Sequence, residues 1–202
     1  MKKLVLIFAF ISGAFVSFSQ SNLNKIPSDP IEESKFSFGI KGGFGHSFIV
    51  PYKNTEFMPS WDAGLSAVYS PFVHWGFGLD AIYSAEGAKF TSVENSYVTN
   101  LNYVRIPVKV IYFFNEYKND FRPKVAIGPT VGFLTNAKDN PGFTKTDFGA
   151  NASLGFNYRL LRAVWLSVDG TYYQGLIDSY TLNNENDLNG NVRLDVGINI
   201  GF

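Results

Sequence analysis

The stretch NVRLDVGINIGF, residues 191–202, closes the chain and alternates apolar and polar side chains without interruption. Val192 and Leu194 begin the apolar series, and Arg193 and Asp195 belong to the polar one. Because successive side chains of a β-strand point to opposite faces of a sheet, this pattern predicts a strand with one apolar and one polar face. Such a strand fits a soluble sheet with a buried apolar face, and it fits a membrane barrel whose apolar face meets lipid.

Seven earlier segments show the same two-residue period, and each is longer than the roughly 5 or 6 residues of a typical soluble strand. With the closing stretch they predict strands at residues 36–48, 59–69, 75–87, 104–114, 121–133, 148–160, 164–176 and 191–202. Pro107 and Pro129 fall inside two of these segments. Because proline has no backbone N–H to donate, we expect a bulge or a gap in strand pairing near each. In a membrane, this pattern predicts an all-β fold, an eight-stranded antiparallel up-and-down transmembrane β-barrel.

The connections between the predicted strands alternate in length along the chain. Short ones lie at residues 70–74, 115–120 and 160–162, and longer polar ones lie near residues 50–57, 88–97, 136–147 and 178–189. Aromatic side chains gather at the strand ends beside the short connections: Phe36, Phe38, Tyr112, Phe114, Phe121, Tyr158 and Phe202. Short turns at one rim, longer loops at the other and an aromatic girdle are typical of outer-membrane barrels, so we favour the membrane arrangement.

A soluble barrel of the lipocalin kind is the alternative that the same alternation allows. Its polar faces would point to water, and its aromatic faces would point inward around an apolar ligand. The strand lengths, the alternating connections and the aromatic girdle are the features that weigh against it.

Charged side chains occupy the polar register of the predicted strands. A Lys or Arg turned to lipid at the middle of a membrane costs about 2–4 kcal/mol, and several would exceed a typical stability of about 5–15 kcal/mol. In a membrane barrel these residues must face the lumen, where acids can neutralise the cations. We predict the following structural lumen charges: Lys41, Asp62, Asp80, Glu86, Arg105, Lys109, Arg122, Lys124, Arg159, Asp169, Arg193 and Asp195.

Charge and composition exclude several classes of function. The 17 basic residues balance the 17 acidic ones, so no basic surface indicates binding to nucleic acid. The chain has no cysteine, which excludes disulfides and a lipid-modified lipoprotein. His46 falls on the lipid-facing register and His74 beside a short turn, and no other histidine is present. We therefore predict no metal site, no cofactor and no catalytic residues.

The start of the chain predicts export. Two lysines precede an apolar run that ends in small residues, which is the layout of a secretory signal peptide. We assign residues 1–19 to a signal peptide, residues 20–35 to a polar, proline-containing periplasmic tether and residues 36–202 to the outer-membrane barrel domain. The predicted location is the outer membrane of a Gram-negative bacterium.

The segment LNYVRIPVKVIYFF, residues 101–114, resembles the fourth strand of the PorT-like outer-membrane β-barrel family. That family often has Tyr-Leu-x-Ile-Pro-Leu followed by Lys, and Tyr103, Ile106, Pro107 and Lys109 match it, with valine in place of both leucines. The stretches GIKGGFG and GPTVGF are also similar to that family. The resemblance implies an eight-stranded barrel with both termini in the periplasm and no catalytic residues.

Together these features predict a small non-enzymatic outer-membrane barrel with a lumen filled by side chains. Its role would be structural, or binding through its loops or its periplasmic face. We expect outer-membrane lipids and lipopolysaccharide as partners. The resemblance implies an alternative, a subunit of a secretion or envelope complex with envelope proteins as partners, because the name-giving member belongs to a secretion and gliding apparatus.

Overall fold

The computed structural model describes residues 35–50, 55–91, 96–182 and 186–201. Within them the strands are β1 Phe36–Val50, β2 Thr55–Glu56, β3 Met58–Tyr69, β4 Trp75–Thr91, β5 Ser96–Phe113, β6 Phe121–Leu134, β7 Thr146–Leu161, β8 Val164–Gly175 and β9 Leu188–Gly201. The predicted signal peptide, the predicted tether up to residue 34 and Phe202 lie outside the described residues. No helix in the described part of the chain is both long and apolar enough to cross a membrane.

All the strands belong to one antiparallel sheet that closes on itself. Each long strand pairs with the next one along the chain, and β9 pairs back onto β1. β2 only extends one end of β4, through the pairs Thr55↔Phe90 and Glu56↔Lys89. The eight long strands therefore form an antiparallel up-and-down barrel, which confirms the predicted fold class. We call the opposite ends of the barrel the turn end, with short connections at residues 70–74, 114–120 and 162–163, and the loop end.

At the loop end the strands run further than predicted. β4 continues to Thr91 and β5 begins at Ser96, so the loop predicted at 88–97 is wrong in extent. β9 likewise begins at Leu188, inside the loop predicted at 178–189. Beyond the apolar band of a membrane barrel both faces of a strand can be polar, and the alternation that marks a strand in the sequence then disappears.

Both prolines interrupt strand pairing as predicted. The β4–β5 ladder lacks pairs opposite Pro107, and the β5–β6 ladder lacks them opposite Pro129. The register is the same on either side of each interruption, so these are gaps and not bulges. The register shift that the structure does contain lies elsewhere, between Arg159 and Leu161 in the β7–β8 ladder.

The outward face of the barrel is apolar and has three bands along the strands. Aromatic side chains of the predicted girdle surround the turn end: Phe36, Phe38, Tyr112, Phe114, Phe121 and Tyr158. A second aromatic ring, not predicted from the sequence, lies toward the loop end: Phe44, Trp61, Tyr83, Phe133, Phe148 and Tyr172. Aliphatic side chains are exposed between the rings: Ile40, Leu65, Leu79, Val108, Ile127, Leu154 and Leu194. This is the outer wall of a membrane barrel, and it excludes the soluble, lipocalin-like alternative.

Candidate functional site

The interior of the barrel has a charged zone between two apolar clusters. One cluster lies toward the loop end and consists of Leu101, Tyr103, Leu134, Ala137 and Phe143. The other lies toward the turn end and consists of Ile111, Phe113, Ala126 and Val68. The charged zone is the densest concentration of chemistry-bearing side chains in the described residues, and we take it as the candidate site.

Arg105 on β5 is the centre of the zone's loop-end half. Its guanidinium donates two hydrogen bonds to Glu86, of 2.7 and 2.8 Å, and one of 2.9 Å to Asp147. The three residues are 1%, 4% and 0% exposed. The rings of Tyr103 and Tyr173 lie 4.4 and 4.1 Å from the guanidinium carbon, which adds cation–π contacts. Two acids and two aromatic rings therefore fix this one cation.

Asp147 is a lumen acid that is not among the residues predicted from the sequence. Besides the bond from Arg105, it accepts hydrogen bonds from the Tyr173 hydroxyl at 2.9 Å and the Asn189 amide at 3.0 Å. It thereby joins strands β5, β7, β8 and β9. Asp147 precedes the predicted start of its strand, and extending the lumen register of β7 by one alternate position beyond Gly149 would have found it.

Asp80 on β4 accepts hydrogen bonds from two lysines. Lys109 on the neighbouring strand donates to it at 2.6 Å, Lys41 on β1 donates at 3.3 Å, and the Ser66 hydroxyl adds a bond of 2.8 Å. Lys41 also reaches Asp195 at 3.4 Å. The two lysines and two acids thus connect strands β1, β4, β5 and β9 across the lumen.

Arg193 and Asp195, two residues apart on β9, form the next contact. The Arg193 Nε lies 3.0 Å from Asp195 Oδ1 and 3.2 Å from Oδ2 of Asp62 on β3. Thr171 donates a further bond of 2.7 Å to Asp195. This cation therefore bridges β9 and β3 across the strand that separates them, β1.

Lys124 and Asp169 form the contact nearest the turn end. The Lys124 ammonium donates to Asp169 at 2.9 Å and to the Ser167 hydroxyl at 2.8 Å. Ser167 in turn donates to the same carboxylate at 2.8 Å. The pair joins β6 to β8, which are not neighbours in the sheet.

Arg122 and Arg159, also predicted as lumen charges, lie apart from this network. Arg122 donates to the backbone carbonyls of Asn115 and Val73 at 3.3 and 3.2 Å, close to the turn end. Arg159 donates to the Tyr117 carbonyl, and its ion pair of 3.6 Å is with an acid in the β5–β6 turn. The structure therefore gathers ten of the twelve predicted residues into the charged zone and places two at the rim.

Three rows of the network have glycine on the strand between the interacting side chains. The rows are Arg105–Gly132–Asp147, Lys124–Gly155–Asp169 and Asp62–Gly43–Asp195. A Cβ built on Gly43 would collide with a carboxylate oxygen of both acids in its row. The absent side chain therefore leaves the space through which charges two strands apart approach each other.

Little room is left inside the wall. Cavities lined by lumen side chains have volumes of about 30, 30 and 10 Å³. These volumes do not exceed the roughly 30 Å³ that one water molecule takes up in liquid, so the three cavities leave no space for a solute. No group of three or more His, Cys, Asp or Glu side chains in the described residues could hold a metal ion.

Two connections at the loop end contact each other above the lumen. Phe143 in the β6–β7 loop forms a β-bridge with Tyr180 in the β8–β9 loop, and their ring centroids lie 4.9 Å apart. The backbone N–H of Thr144 donates to the Ser179 carbonyl at 3.0 Å. The described parts of these loops thus form one joined surface.

A closed barrel with apolar walls and a charged, filled lumen defines a small outer-membrane β-barrel protein. The family model described as outer membrane protein beta-barrel domain matches residues 13–181. The chain belongs to this family. Membrane lipid and lipopolysaccharide are the surroundings of such a barrel.

Solved structures of small outer-membrane barrels have the same fold. OprG from Pseudomonas aeruginosa aligns with a TM-score of 0.56 and 17% identity, over 86% of this chain and 99% of OprG. Neisserial surface protein A aligns at 0.52 and 17%, over 82% and 97%. The outer membrane enzyme PagL aligns at 0.52 and 12%, over 79% and 97%. Identities this low extend the likeness to the fold alone, and no curated protein matches the sequence.

Proposed function

We propose that this protein is a non-enzymatic outer-membrane barrel whose lumen is structural and whose binding surface is formed by its outer loops. The observation that carries the proposal is the buried charge network, with an apolar cluster toward each end. Eight strands enclose about the volume that side chains can fill, and here ion pairs and apolar side chains fill it. The lumen therefore supports the wall and does not carry solutes.

The positions of the two histidines support a non-enzymatic role. A nucleophilic site needs a Ser, Thr or Asp beside a positioned base. The His46 ring lies on the outer wall, 6.3 Å from Phe44 and 6.5 Å from Phe57. His74 donates to the Phe113 carbonyl at the turn end, at 2.8 Å. Neither imidazole faces the acids and hydroxyls of the lumen.

The joined loops are the surface best prepared for binding. The β6–β7 loop is anchored to β5, because the amides of Asn136 and Asn140 donate to the Asn100 carbonyl at 2.9 and 3.0 Å. Loops that a rigid barrel holds in place are where such folds commonly carry recognition. We assign this surface to the outside of the cell, since longer loops face outward in bacterial barrels and short turns face the periplasm.

We also propose roles for the start of the chain and a set of partners. Residues 1–19 direct export and residues 20–35 form a periplasmic tether before the barrel. Both termini then lie in the periplasm, as an even number of spanning strands requires. The partners are outer-membrane lipids and lipopolysaccharide.

The second candidate function is a subunit of a secretion or envelope complex, which the PorT-like segment around Pro107 supports. A subunit of that kind would contact proteins through its wall or its turn end. The two candidates therefore differ in which surface meets a protein in the cell.

Site-specific photo-crosslinking in intact cells tests this difference. A photoreactive amino acid is placed singly at Lys138 in the β6–β7 loop, at Lys118 in the β5–β6 turn and at Leu154 on the outer wall, all exposed positions. Crosslinked products are identified by mass spectrometry. The proposed function predicts lipid at Leu154, lipopolysaccharide or another surface molecule at Lys138 and no stoichiometric protein at Lys118.

Stoichiometric crosslinks from Lys118 or Leu154 to subunits of a secretion machine would overturn the stand-alone assignment. Each variant is first checked for folding by the change in gel mobility that heating causes in folded barrels. A variant that fails this check is replaced by its neighbour two residues along the same face.

A further inference from the structure

A groove of about 530 Å³ opens at the turn end, outside the charged zone of the lumen. Its described lining residues come from Lys35 just before β1, the β3–β4 turn, strands β4, β5 and β6, and the β5–β6 turn. Its volume lies within the roughly 300–1,000 Å³ of sites that bind small molecules. The proposed function leaves this groove without a role.

One wall of the groove is apolar and belongs to the membrane side. Phe72, Val73 and Trp75 are 65%, 44% and 48% exposed. The Tyr112 ring lies 5.0 Å from Trp75 and 5.8 Å from His74, so aromatic rings line the border with the turn-end girdle. An exposed apolar wall at this level of a barrel meets the acyl chains and the glycerol region of the bilayer.

The polar side of the groove is cationic. Lys35 and Arg122 line it together with Ser70, and no acid is among the described lining residues. The Arg122 guanidinium lies 4.0 Å above the Phe113 ring and bonds to the Val73 carbonyl, so its position is fixed. The surrounding rim has more cations than acids among the described residues: Lys35, Lys118, Arg122, Arg159 and Arg162 against Glu116 and Asp120.

We infer that this groove binds an anionic phospholipid of the periplasmic leaflet, with the phosphate at Lys35 and Arg122 and the acyl chains along Phe72 and Trp75. Lys and Arg bind phosphate oxygens by charge-assisted hydrogen bonds. The short turns of a bacterial barrel face the periplasm, so the adjacent leaflet is the phospholipid one. Basic pockets beside apolar membrane-spanning walls are suited to anionic headgroups. The inference concerns a different surface from the proposed function and can fail while that function stands.

The experiment measures lipid retention by the full folded barrel in detergent, by native mass spectrometry, with phosphatidylglycerol and the zwitterionic phosphatidylcholine as probes. Wild type should retain phosphatidylglycerol in preference to phosphatidylcholine. Lys35→Gln should weaken phosphatidylglycerol binding about five-fold, the effect expected of one cation beside an anionic lipid. Lys35→Arg should keep wild-type affinity, and Lys118→Gln, an exposed cation of the same rim outside the groove, is the matched control and should also keep it.

The apolar wall gives a second, independent variant. Phe72→Ser should weaken retention of phosphatidylglycerol, because the acyl chains lose part of their contact surface. Unchanged binding in Phe72→Ser would overturn the assignment to a lipid. Equal losses in Lys35→Gln and Lys118→Gln would show a general attraction to the rim and would overturn the site, as would equal retention of the two lipids by wild type. All four variants change exposed side chains, and unaltered heat-dependent gel mobility verifies their fold.

Discussion

Replacing Arg105 by leucine removes the cation that holds the loop-end half of the charged zone. The change leaves Glu86 and Asp147, both almost fully buried, without their shared positive partner. It also removes the cation–π contacts with Tyr103 and Tyr173. We expect the free energy of unfolding to fall markedly while the fold class is retained.

The magnitude follows from the burial of the charges. Removing one partner of a buried ion pair costs about 3–5 kcal/mol, because the remaining charge stays in a medium that solvates it poorly. Lost cation–π contacts add about 0.5–2 kcal/mol. Lys89→Leu is the matched control, since its 2.7 Å ion pair with Glu56 is exposed at the loop end and should be worth at most about 1 kcal/mol.

The assay is unfolding by urea from phospholipid vesicles. The folded fraction is read from the mobility of unheated samples on SDS gels, and extrapolation to zero urea gives the free energy of unfolding. The triple variant Arg105→Leu, Glu86→Gln, Asp147→Asn removes the unpaired charges and keeps polar atoms for Tyr173 and Asn189 to bond. It should regain more than half of the loss.

Two results would refute the reasoning. If Arg105→Leu lost no more stability than Lys89→Leu, the buried position of this network would be wrong. If the triple variant were as unstable as the single one, the cost would come from packing around position 105 and not from unpaired charge.

Three further outcomes are expected from the same structure. Planar-bilayer recordings should show no large, steady conductance, and an open pore would contradict the filled lumen. In the same urea assay, Gly43→Val should destabilise the barrel by about 1–3 kcal/mol, because the new side chain must displace two carboxylates. Gly170→Ala is its control and should change stability by less than about 0.5 kcal/mol, because a Cβ there has only one neighbour, at 3.6 Å. Leu79→Arg on the outer wall should cost about 2–4 kcal/mol and Val98→Arg beyond the loop-end ring about 0–1 kcal/mol, and equal costs would contradict the assigned membrane band.

The fold can be predicted from the sequence wherever the two faces of a strand meet different surroundings, lipid on one face and the lumen on the other. Between the aromatic rings lipid selects residues such as Leu194 and the lumen selects residues such as Asp195, so the alternation is clearest there. Beyond the loop-end ring that contrast is lost, and the prediction ends β4 at residue 87 although the strand reaches Thr91. Prolines remain informative in either zone because the missing N–H acts on pairing directly, as the gap opposite Pro107 shows.

The face of the sheet on which a side chain lies and the residue that it contacts are separate questions, and only the first can be answered from the sequence. Alternation places Arg105 in the lumen register, but which acid it meets depends on the tilt of the strands and on their register. The bond to Glu86 joins neighbouring strands and could be anticipated, since antiparallel neighbours along the chain pair directly. The bond to Asp147 reaches the strand after next, and no periodicity within one strand carries that information.

Once the register is known, the lumen glycines indicate which charged residues two strands apart can contact each other. A charge reaches a partner two strands away most directly where the strand between them presents no side chain, and Gly132 and Gly155 lie at such positions. The same residues weaken an isolated strand, because glycine adds no packing and loses more backbone freedom on folding. Glycines opposite charged residues therefore lower the stability of their own strands and allow ion pairs to form between strands on either side of them. A lumen filled in this way resists opening, because any widening of the wall would separate several buried ion pairs together.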